Sequence, residues 1–307
     1  MLIERLVSQS GLKSTQILFL ADSASKRYKV YKIPKRAGGY RTIEQPTRAI
    51  KALQRWLTDF LTSKFPVHSC STAYSVGASI RENARRHART CFTLRVDFRE
   101  FFPSFASKHV ERFLIEVGNG RYDIGLSQDD IAFACKIYCR NDHLTIGAPS
   151  SPSLTNVMMF EFDRNVDEWC NQEEMIYTRY ADDIFISTNR PNRLSNGLRN
   201  IIGAAERYSF ADLRVNEGKT AFLSKRYRRS ITGLIITPQG EISIGRQRKD
   251  MLKKEIYRYK RGTLPEESIS RLQGNLAFVN DVEPTFLSIA VRKYGAETIR
   301  SIMKASQ

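Results

Sequence analysis

Met175-Ile176-Tyr177-Thr178-Arg179-Tyr180-Ala181-Asp182-Asp183-Ile184-Phe185-Ile186-Ser187 is the stretch whose reading decides the fold. Ile176, Thr178 and Tyr180 alternate with Tyr177 and Arg179, and Ile184 and Ile186 alternate with Phe185 and Ser187, which is the period of a β-strand. Ala181-Asp182 falls between the two runs as a tight hairpin connection. An unpaired carboxylate in apolar strand surroundings costs several kcal/mol, so Asp182 and Asp183 require compensation. Asp97 poses the same problem at the end of Leu94-Arg95-Val96, where Phe92 to Val96 reads as a second strand. Two divalent cations roughly 4 Å apart would compensate all three, and such a pair is a device for in-line phosphoryl transfer. Oxygen ligands suit magnesium, with manganese as a substitute. The competing reading of Asp182-Asp183 is a solvated turn, in which Asp is common. The aromatic and β-branched residues on both sides favour the functional one.

Working outward, Tyr31-Lys32-Ile33-Pro34-Lys35-Arg36-Ala37-Gly38-Gly39-Tyr40-Arg41 reads as a cationic hairpin whose tip is marked by Pro and paired Gly. Ile50, Leu53, Trp56, Leu57 and Phe60 recur at three and four and predict an amphipathic helix over 49–61. Ser127 with Asp130 predicts a helix start, with Ile131, Ala134, Cys135 and Tyr138 as its buried stripe. Pro152 suits a first helical turn. From Arg246 to Arg261, eight basic residues meet only Asp250 and Glu255, and Met251, Leu252, Ile256 and Tyr257 form the apolar side of a basic amphipathic helix. The residues from Gly262 to Pro265 break the chain before a helical C-terminal segment, which points to a separate helical lobe.

The 307 residues suit about two domains, and 41% apolar residues suffice for a core, which excludes disorder of the whole. With 49 Lys and Arg against 32 Asp and Glu, the net charge of +17 calls for a polyanionic partner. Apolar runs such as Ile17 to Leu20 and Leu234 to Ile236 fall far short of the roughly 18 residues of a membrane span. Glu4 and Arg5 interrupt the first apolar stretch, and no small-residue cleavage site follows, so the expectation is a chain neither secreted nor inserted. Cys70, Cys91, Cys135, Cys139 and Cys170 lack the spacing of a disulfide scaffold and fit a reducing cytoplasm. Cys135, Cys139 and His143 share a four-residue spacing compatible with a metal, but without a fourth ligand nearby, buried apolar Cys is the commoner reading.

Three motifs in order carry a resemblance: Val96-Asp97-Phe98-Arg99-Glu100-Phe101-Phe102, then Gly147-Ala148-Pro149-Ser150-Ser151-Pro152 with Leu154 and Asn156, then Tyr180-Ala181-Asp182-Asp183. Together they resemble the palm motifs of reverse transcriptases, and Asn216-Glu217-Gly218-Lys219-Thr220 and Thr232-Gly233-Leu234 look like the motifs that follow. The resemblance covers roughly residues 30 to 245. Within the family it is nearest to bacterial retron reverse transcriptases, whose two marker sequences appear as Asn83-Ala84-Arg85-Arg86-His87 and Ile231-Thr232-Gly233, the latter with Ile in place of Val.

The resemblance implies an α+β, right-hand polymerase architecture: fingers over 1–90, a palm over 91–242 with interleaved fingers segments and an antiparallel sheet, and a helical, RNA-binding thumb over 243–307. It implies that Asp97, Asp182 and Asp183, with the backbone carbonyl of Phe98, hold two Mg2+ ions. Lys219 matches the Lys near the leaving pyrophosphate. Lys35, Arg36 and Arg41 on the fingers hairpin would hold the triphosphate of a deoxynucleoside triphosphate, a task suited to a guanidinium fork and an ammonium. Without the family that hairpin is a solvated basic loop. Phe101 and Phe102 by themselves read as core aromatics. The resemblance puts them, with Gly147 and Ala148, at the incoming nucleotide, Phe102 lying under its sugar where a ribose hydroxyl would clash. One departure stands out: Ile146 replaces the Gln that most relatives carry before Gly-Ala-Pro, and it cannot hydrogen-bond the nucleotide.

RNA contacts are expected at Arg81, Asn83, Arg85, Arg86 and His87, at Arg226 and Arg228 around Tyr227 with Arg229 beside them, and at Arg248, Lys253, Lys254 and Arg258 of the thumb. Any one of these Arg residues alone reads as a solvated face, and His87 alone as a packing residue. The implied partners are a cognate non-coding RNA, its short single-stranded DNA product, an effector toxin in antiphage defence, and a host ribonuclease H. Two rivals stand beside this reading: another class of bacterial reverse transcriptase, and a polymerase-derived RNA-binding scaffold that restrains an effector, the latter motivated by Ile146.

Overall fold

The structure, a computed structural model, describes residues 1–35, 38–75 and 77–304. In chain order its helices and strands are α1 Leu2–Ser10, α2 Ser14–Asp22, β1 Tyr28–Pro34, β2 Tyr40–Pro46, α3 Arg48–Phe60, α4 Ile80–Arg86 and β3 Phe92–Asp97. There follow α5 Ser107–Phe113, α6 Gln128–Tyr138, α7 Ser151–Met158, α8 Phe160–Gln172, β4 Ile176–Tyr180, β5 Asp183–Thr188 and α9 Leu194–Tyr208. The chain closes with β6 Ala221–Ser224, β7 Arg229–Ile231, β8 Leu234–Ile236, β9 Ile242–Ser243, α10 Arg246–Lys260, α11 Glu266–Val282, α12 Pro284–Tyr294 and α13 Ala296–Lys304. Strands β1 and β2 form an antiparallel ribbon with Tyr31 opposite Ile43 and Ile33 opposite Arg41. A four-stranded sheet has the order β4-β5-β3-β6, and β7-β8-β9 form an antiparallel meander. Among the described residues no helix is long and apolar enough to cross a membrane. The α+β expectation therefore holds.

Packing divides the chain into two units, one of Met1–Ala78, Leu94–Ile186 and Asn192–Ala221, the other of Ser79–Thr93, Ser187–Pro191 and Phe222–Gln307. In the first, helices α8 and α9 pack together and α8 also packs on β4. Leu94, Val96, Ile184, Phe185, Ile186 and Phe162 are buried in its core. Gly197 in α9 is there for proximity, since a Cβ at that position would stand 3.3 Å from Ile186 Cδ1. The capping box predicted at Ser127 is present, and Ile131, Ala134, Cys135 and Tyr138 are buried as expected. Burial pushes the Cys135 and Cys139 thiols up to about 12, as suits apolar packing residues.

In the second unit α10 to α13 bury Leu252, Ile256, Leu272, Leu276, Phe286 and Ile302. The stripe expected on α10 is narrower than its sequence suggests: Met251 and Tyr257 are exposed, whereas Glu255 is buried and receives a 2.9 Å bond from Arg271. Residues 79–93 pack with this unit because α4 lies against β7, β8 and β9, so packing crosses the fingers boundary expected at residue 90. Thr232 and Gly233 are the two residues between β7 and β8, with φ of 46° and 82°, which is the left-handed pair a type I′ hairpin needs.

Candidate active site

Asp97 ends β3, buried, where the chain is held by a second segment. Asn216 N donates to the Asp97 carbonyl at 2.7 Å and Arg99 N donates to the Arg214 carbonyl at 2.8 Å. These two bonds flank the Phe98–Val215 bridge and make no use of the Phe98 carbonyl. The Asp97 carboxylate accepts from Asn216 Nδ2 at 3.2 Å and from Lys219 Nζ at 2.9 and 3.0 Å. Asp97 and Lys219, separated by 122 residues in sequence, thus meet at one carboxylate.

Asp182 and Asp183 occupy the β4–β5 hairpin. Ala181 there has φ 55°, a left-handed conformation that costs a non-glycine residue about 1 kcal/mol or more. Burial raises the pKa of Asp182 and the Asp97 charge adds to it, against Lys219 and Arg41. Burial, then Asp182, then Asp97 push Asp183 up to about 6, against Arg95 and Lys219. The three carboxylates therefore share one field, with three cations, Arg41, Arg95 and Lys219, facing it.

Tyr74, with φ 58°, lies with its ring centroid 6.4 Å from that of Tyr180, and burial, Tyr180 and Asp182 raise its pKa while Arg41 lowers it. The Arg41 charge is thus felt at Asp182 and Tyr74. Lys35 is exposed at the base of the hairpin tip, where its N–H donates to Gly39 O at 2.9 Å. Arg36 lies outside the described residues. Gly147 has φ 120°, and a Cβ on it would stand 2.9 Å from Glu44 O, so only glycine allows this approach to β2. Glu44 N donates to Ile146 O at 2.8 Å beside it, and Ala148 is buried.

Phe102 is half-buried, with its ring edge-on to Phe101. Phe101 itself is buried among Phe98, Phe102 and Phe105, so the expected nucleotide contact is corrected: this ring fills the core under the site. Two expected RNA contacts are corrected as well. Asn83 and His87 are fully buried, and burial with the Arg229 and Arg86 charges pushes His87 down to about 3, leaving it neutral. Arg229 is also buried, donating to Thr90 O and to Ala88 O at 3.1 Å. Thr232 Oγ1 donates to Ile80 O at 3.2 Å at the start of α4, and α4, which carries Asn83 to Arg86, packs on β7 and β8 within the second unit. Arg81 and Arg85 remain exposed and Arg86 partly so, the last two paired with Glu82. Arg226, Arg228, Lys254 and Arg258 are exposed, with Arg248 and Lys253 half-buried and Arg248 over the Phe278 ring.

Sequence reasoning passed over the layer beneath the hairpin. Arg179 and Asp163 are both fully buried and joined by bonds of 2.8 and 2.6 Å, with Tyr177 OH donating to Asp163 at 2.7 Å. Burial opposes the Arg179 charge and the Asp163 carboxylate outweighs it, holding the guanidinium above its ordinary range. A charge at the centre of an otherwise apolar strand is the signal that was available.

Among the described residues no three His, Cys, Asp or Glu side chains stand ready as a ligand set, Cys135, Cys139 and His143 included. At Asp97 the ammonium of Lys219 takes the place at the carboxylate. The donor chemistry nevertheless fits divalent cations: Asp182 and Asp183, each raised by burial and by a neighbouring carboxylate, need positive charge, and hard oxygen donors suit magnesium.

Residues 33–237 match the family described as reverse transcriptase (RNA-dependent DNA polymerase). The Retron Ec83 reverse transcriptase of Escherichia coli is 33% identical over 296 residues, which is 94% of each chain. Among solved structures, telomerase from Candida albicans in complex with a TWJ fragment of telomeric RNA superposes with a TM-score of 0.50 at 14% identity, over 94% of this chain and 58% of that one. The foamy viral protease-reverse transcriptase in complex with dsDNA gives 0.51 at 16% identity, over 91% and 51%. The chain thus spans a little over half the length of those two, and at such identities the likeness is one of fold.

Proposed function

This chain belongs to the reverse transcriptase family, among the retron reverse transcriptases, and on that premise we propose that it copies part of a cognate structured non-coding RNA into a short single-stranded DNA. The observation that carries the reading is the shared field of Asp97, Asp182 and Asp183, brought together from two sequence motifs with Lys219 at its edge. When bound by these carboxylates and the Phe98 carbonyl, two Mg2+ ions, or Mn2+, supply activation of the attacking hydroxyl and charge for the leaving oxygen. Asn216 holds the Asp97 carboxylate from the side. Lys219 Nζ carries the proton that a departing pyrophosphate oxygen takes up. Arg41, with Lys35 and Arg36, binds the triphosphate, and Arg41 already acts on the Asp182 carboxylate.

Phe102 closes the sugar site against a ribose 2′-hydroxyl, and Gly147 and Ala148 line the floor near β2. In this reading the product begins from an internal ribose 2′-hydroxyl and stays linked to its RNA through a 2′-5′ branch. A host ribonuclease H removes the template, and an effector toxin completes an antiphage system in the cytoplasm. RNA is held by the exposed cations Arg81, Arg85, Arg226, Arg228, Lys254 and Arg258, supported by Arg86, Arg248 and Lys253.

Purified protein on a primed RNA template with deoxynucleotides and Mg2+ tests the polymerase part. Extension by the wild type and none by Asp182→Asn with Asp183→Asn supports it, whereas equal extension by the variant contradicts it.

A further inference from the structure

The buried layer under the hairpin has no part in the reading above, and its geometry leads to one residue. Arg179 is clamped through its backbone: its N–H donates to Cys70 O at 3.0 Å, and its carbonyl accepts from Thr72 N at 2.8 Å and Thr72 Oγ1 at 3.1 Å. Its guanidinium reaches three elements at once. Nε and Nη2 hold Asp163 of α8, while Nη1 donates to Asn156 Oδ1 of α7 and to the carbonyl of Ala181, each at 3.1 Å. Asn156 in turn accepts from Ser71 Oγ at 3.1 Å and donates to Ala73 O at 2.8 Å. The network therefore ends on two backbone points, Ala73 and Ala181, each beside or at a left-handed non-glycine residue, Tyr74 and Ala181.

A buried ion pair is seldom explained by stability, because apolar residues of similar volume serve a fold as well or better. What an apolar pair cannot do is hold a carbonyl. We propose that Arg179 is a positioning residue: by holding the Ala181 carbonyl in its left-handed turn it sets the direction in which Asp182 leaves the strand, with Asp163 and Asn156 fixing the guanidinium. The Gly-Ala-Pro motif enters the same network through Asn156, which couples the nucleotide floor to the carboxylate hairpin. The role assigned to Asp182 rests on the polymerase reading.

The test uses the full chain as wild type, as Arg179→Lys, and as Arg179→Met combined with Asp163→Leu. Lysine keeps the charge opposite Asp163 but has one ammonium in place of a fork, so it cannot serve Asp163, Asn156 and Ala181 together. The apolar pair removes both buried charges at similar volume. Thermal melting, the KM for a deoxynucleotide, kcat on a primed RNA, and Mn2+ affinity of the nucleic-acid-free protein by electron paramagnetic resonance are measured for each. The expected result is wild-type melting and KM, with kcat and Mn2+ affinity each lower by roughly tenfold or more, as for other outer-shell partners.

Folded variants with wild-type kcat and Mn2+ affinity would overturn the proposal. So would loss of folding in both variants, since the network would then be a stability element. If only the apolar pair fails to fold, Arg179→Lys decides by the same criteria. A wild type inactive on every primed template, with Mn2+ affinity still weakened in the variants, would sink the polymerase reading and leave the positioning role standing.

Discussion

Replacing Asp183 by Asn should stabilise the cation-free protein while destroying its chemistry. An Asp in the unfolded chain loses its proton near 3.8, whereas burial, Asp182 and Asp97 hold the Asp183 proton in the fold up to about 6. Between those values the unfolded state binds fewer protons than the folded one, so stability falls as pH rises through the window. The interval has a ceiling of about 3 kcal/mol, and partial access to water reduces it to about 1–3 kcal/mol. Asn is nearly isosteric and carries no charge, so it recovers that amount above pH 6 and gains nothing below pH 4. Chemical denaturation of both proteins in EDTA, at about pH 7.5 and pH 4, reads the difference directly, and a gain of this size raises the melting temperature by a few degrees. Added Mg2+ should then stabilise the wild type more than the variant, since only the former regains a full carboxylate set. Equal stability at pH 7.5, or a gain that persists undiminished at pH 4, would refute the electrostatic argument.

Three further outcomes follow from the geometry. Gly147→Ala places a Cβ at 2.9 Å from Glu44 O at a φ of 120°, so it should cost about 1–3 kcal/mol in a melt and raise the KM for deoxynucleotides. On the proposed role of its ring under the sugar, Phe102→Ala should raise ribonucleotide incorporation in a primer-extension assay by about tenfold or more, with folding preserved because the ring is only half-buried. Reversing Lys254 and Arg258 to Glu on the exposed side of α10 should weaken RNA binding and flatten its dependence on salt by about two counterions, read by filter binding across a salt series.

The period of residues 175–187, the capping box at Ser127, the hairpin at Gly38-Gly39 and the basic helix from Arg246 were all legible, because each is decided by local pattern and turn chemistry. The three carboxylates were legible because charge in apolar strand context demands an explanation. The burial of Asn83 and Arg229 was not, because a basic or polar residue in an Arg-rich segment looks solvated until its partner is known, whereas His87 and Phe101 read by themselves as packing residues and only the family resemblance moved them to RNA and nucleotide contact. Arg229 finds that partner in the carbonyls of Ala88 and Thr90, about 140 residues away in sequence. Asn156 was visible as part of a motif but without a role, since its bonds to Ser71, Ala73 and Arg179 are long-range. Lys219 was named from the family resemblance alone, and its bond to Asp97, 122 residues away, was not visible in the sequence.

The measurement that bears most directly on the account is expression of the chain in a bacterial host with its upstream non-coding region, followed by extraction of nucleic acid onto a denaturing gel beside Asp182→Asn with Asp183→Asn. The account predicts a discrete short DNA that shifts after ribonuclease or debranching treatment and is absent from the variant. A defined RNA that co-purifies with the protein, with no DNA in either lane, would contradict it.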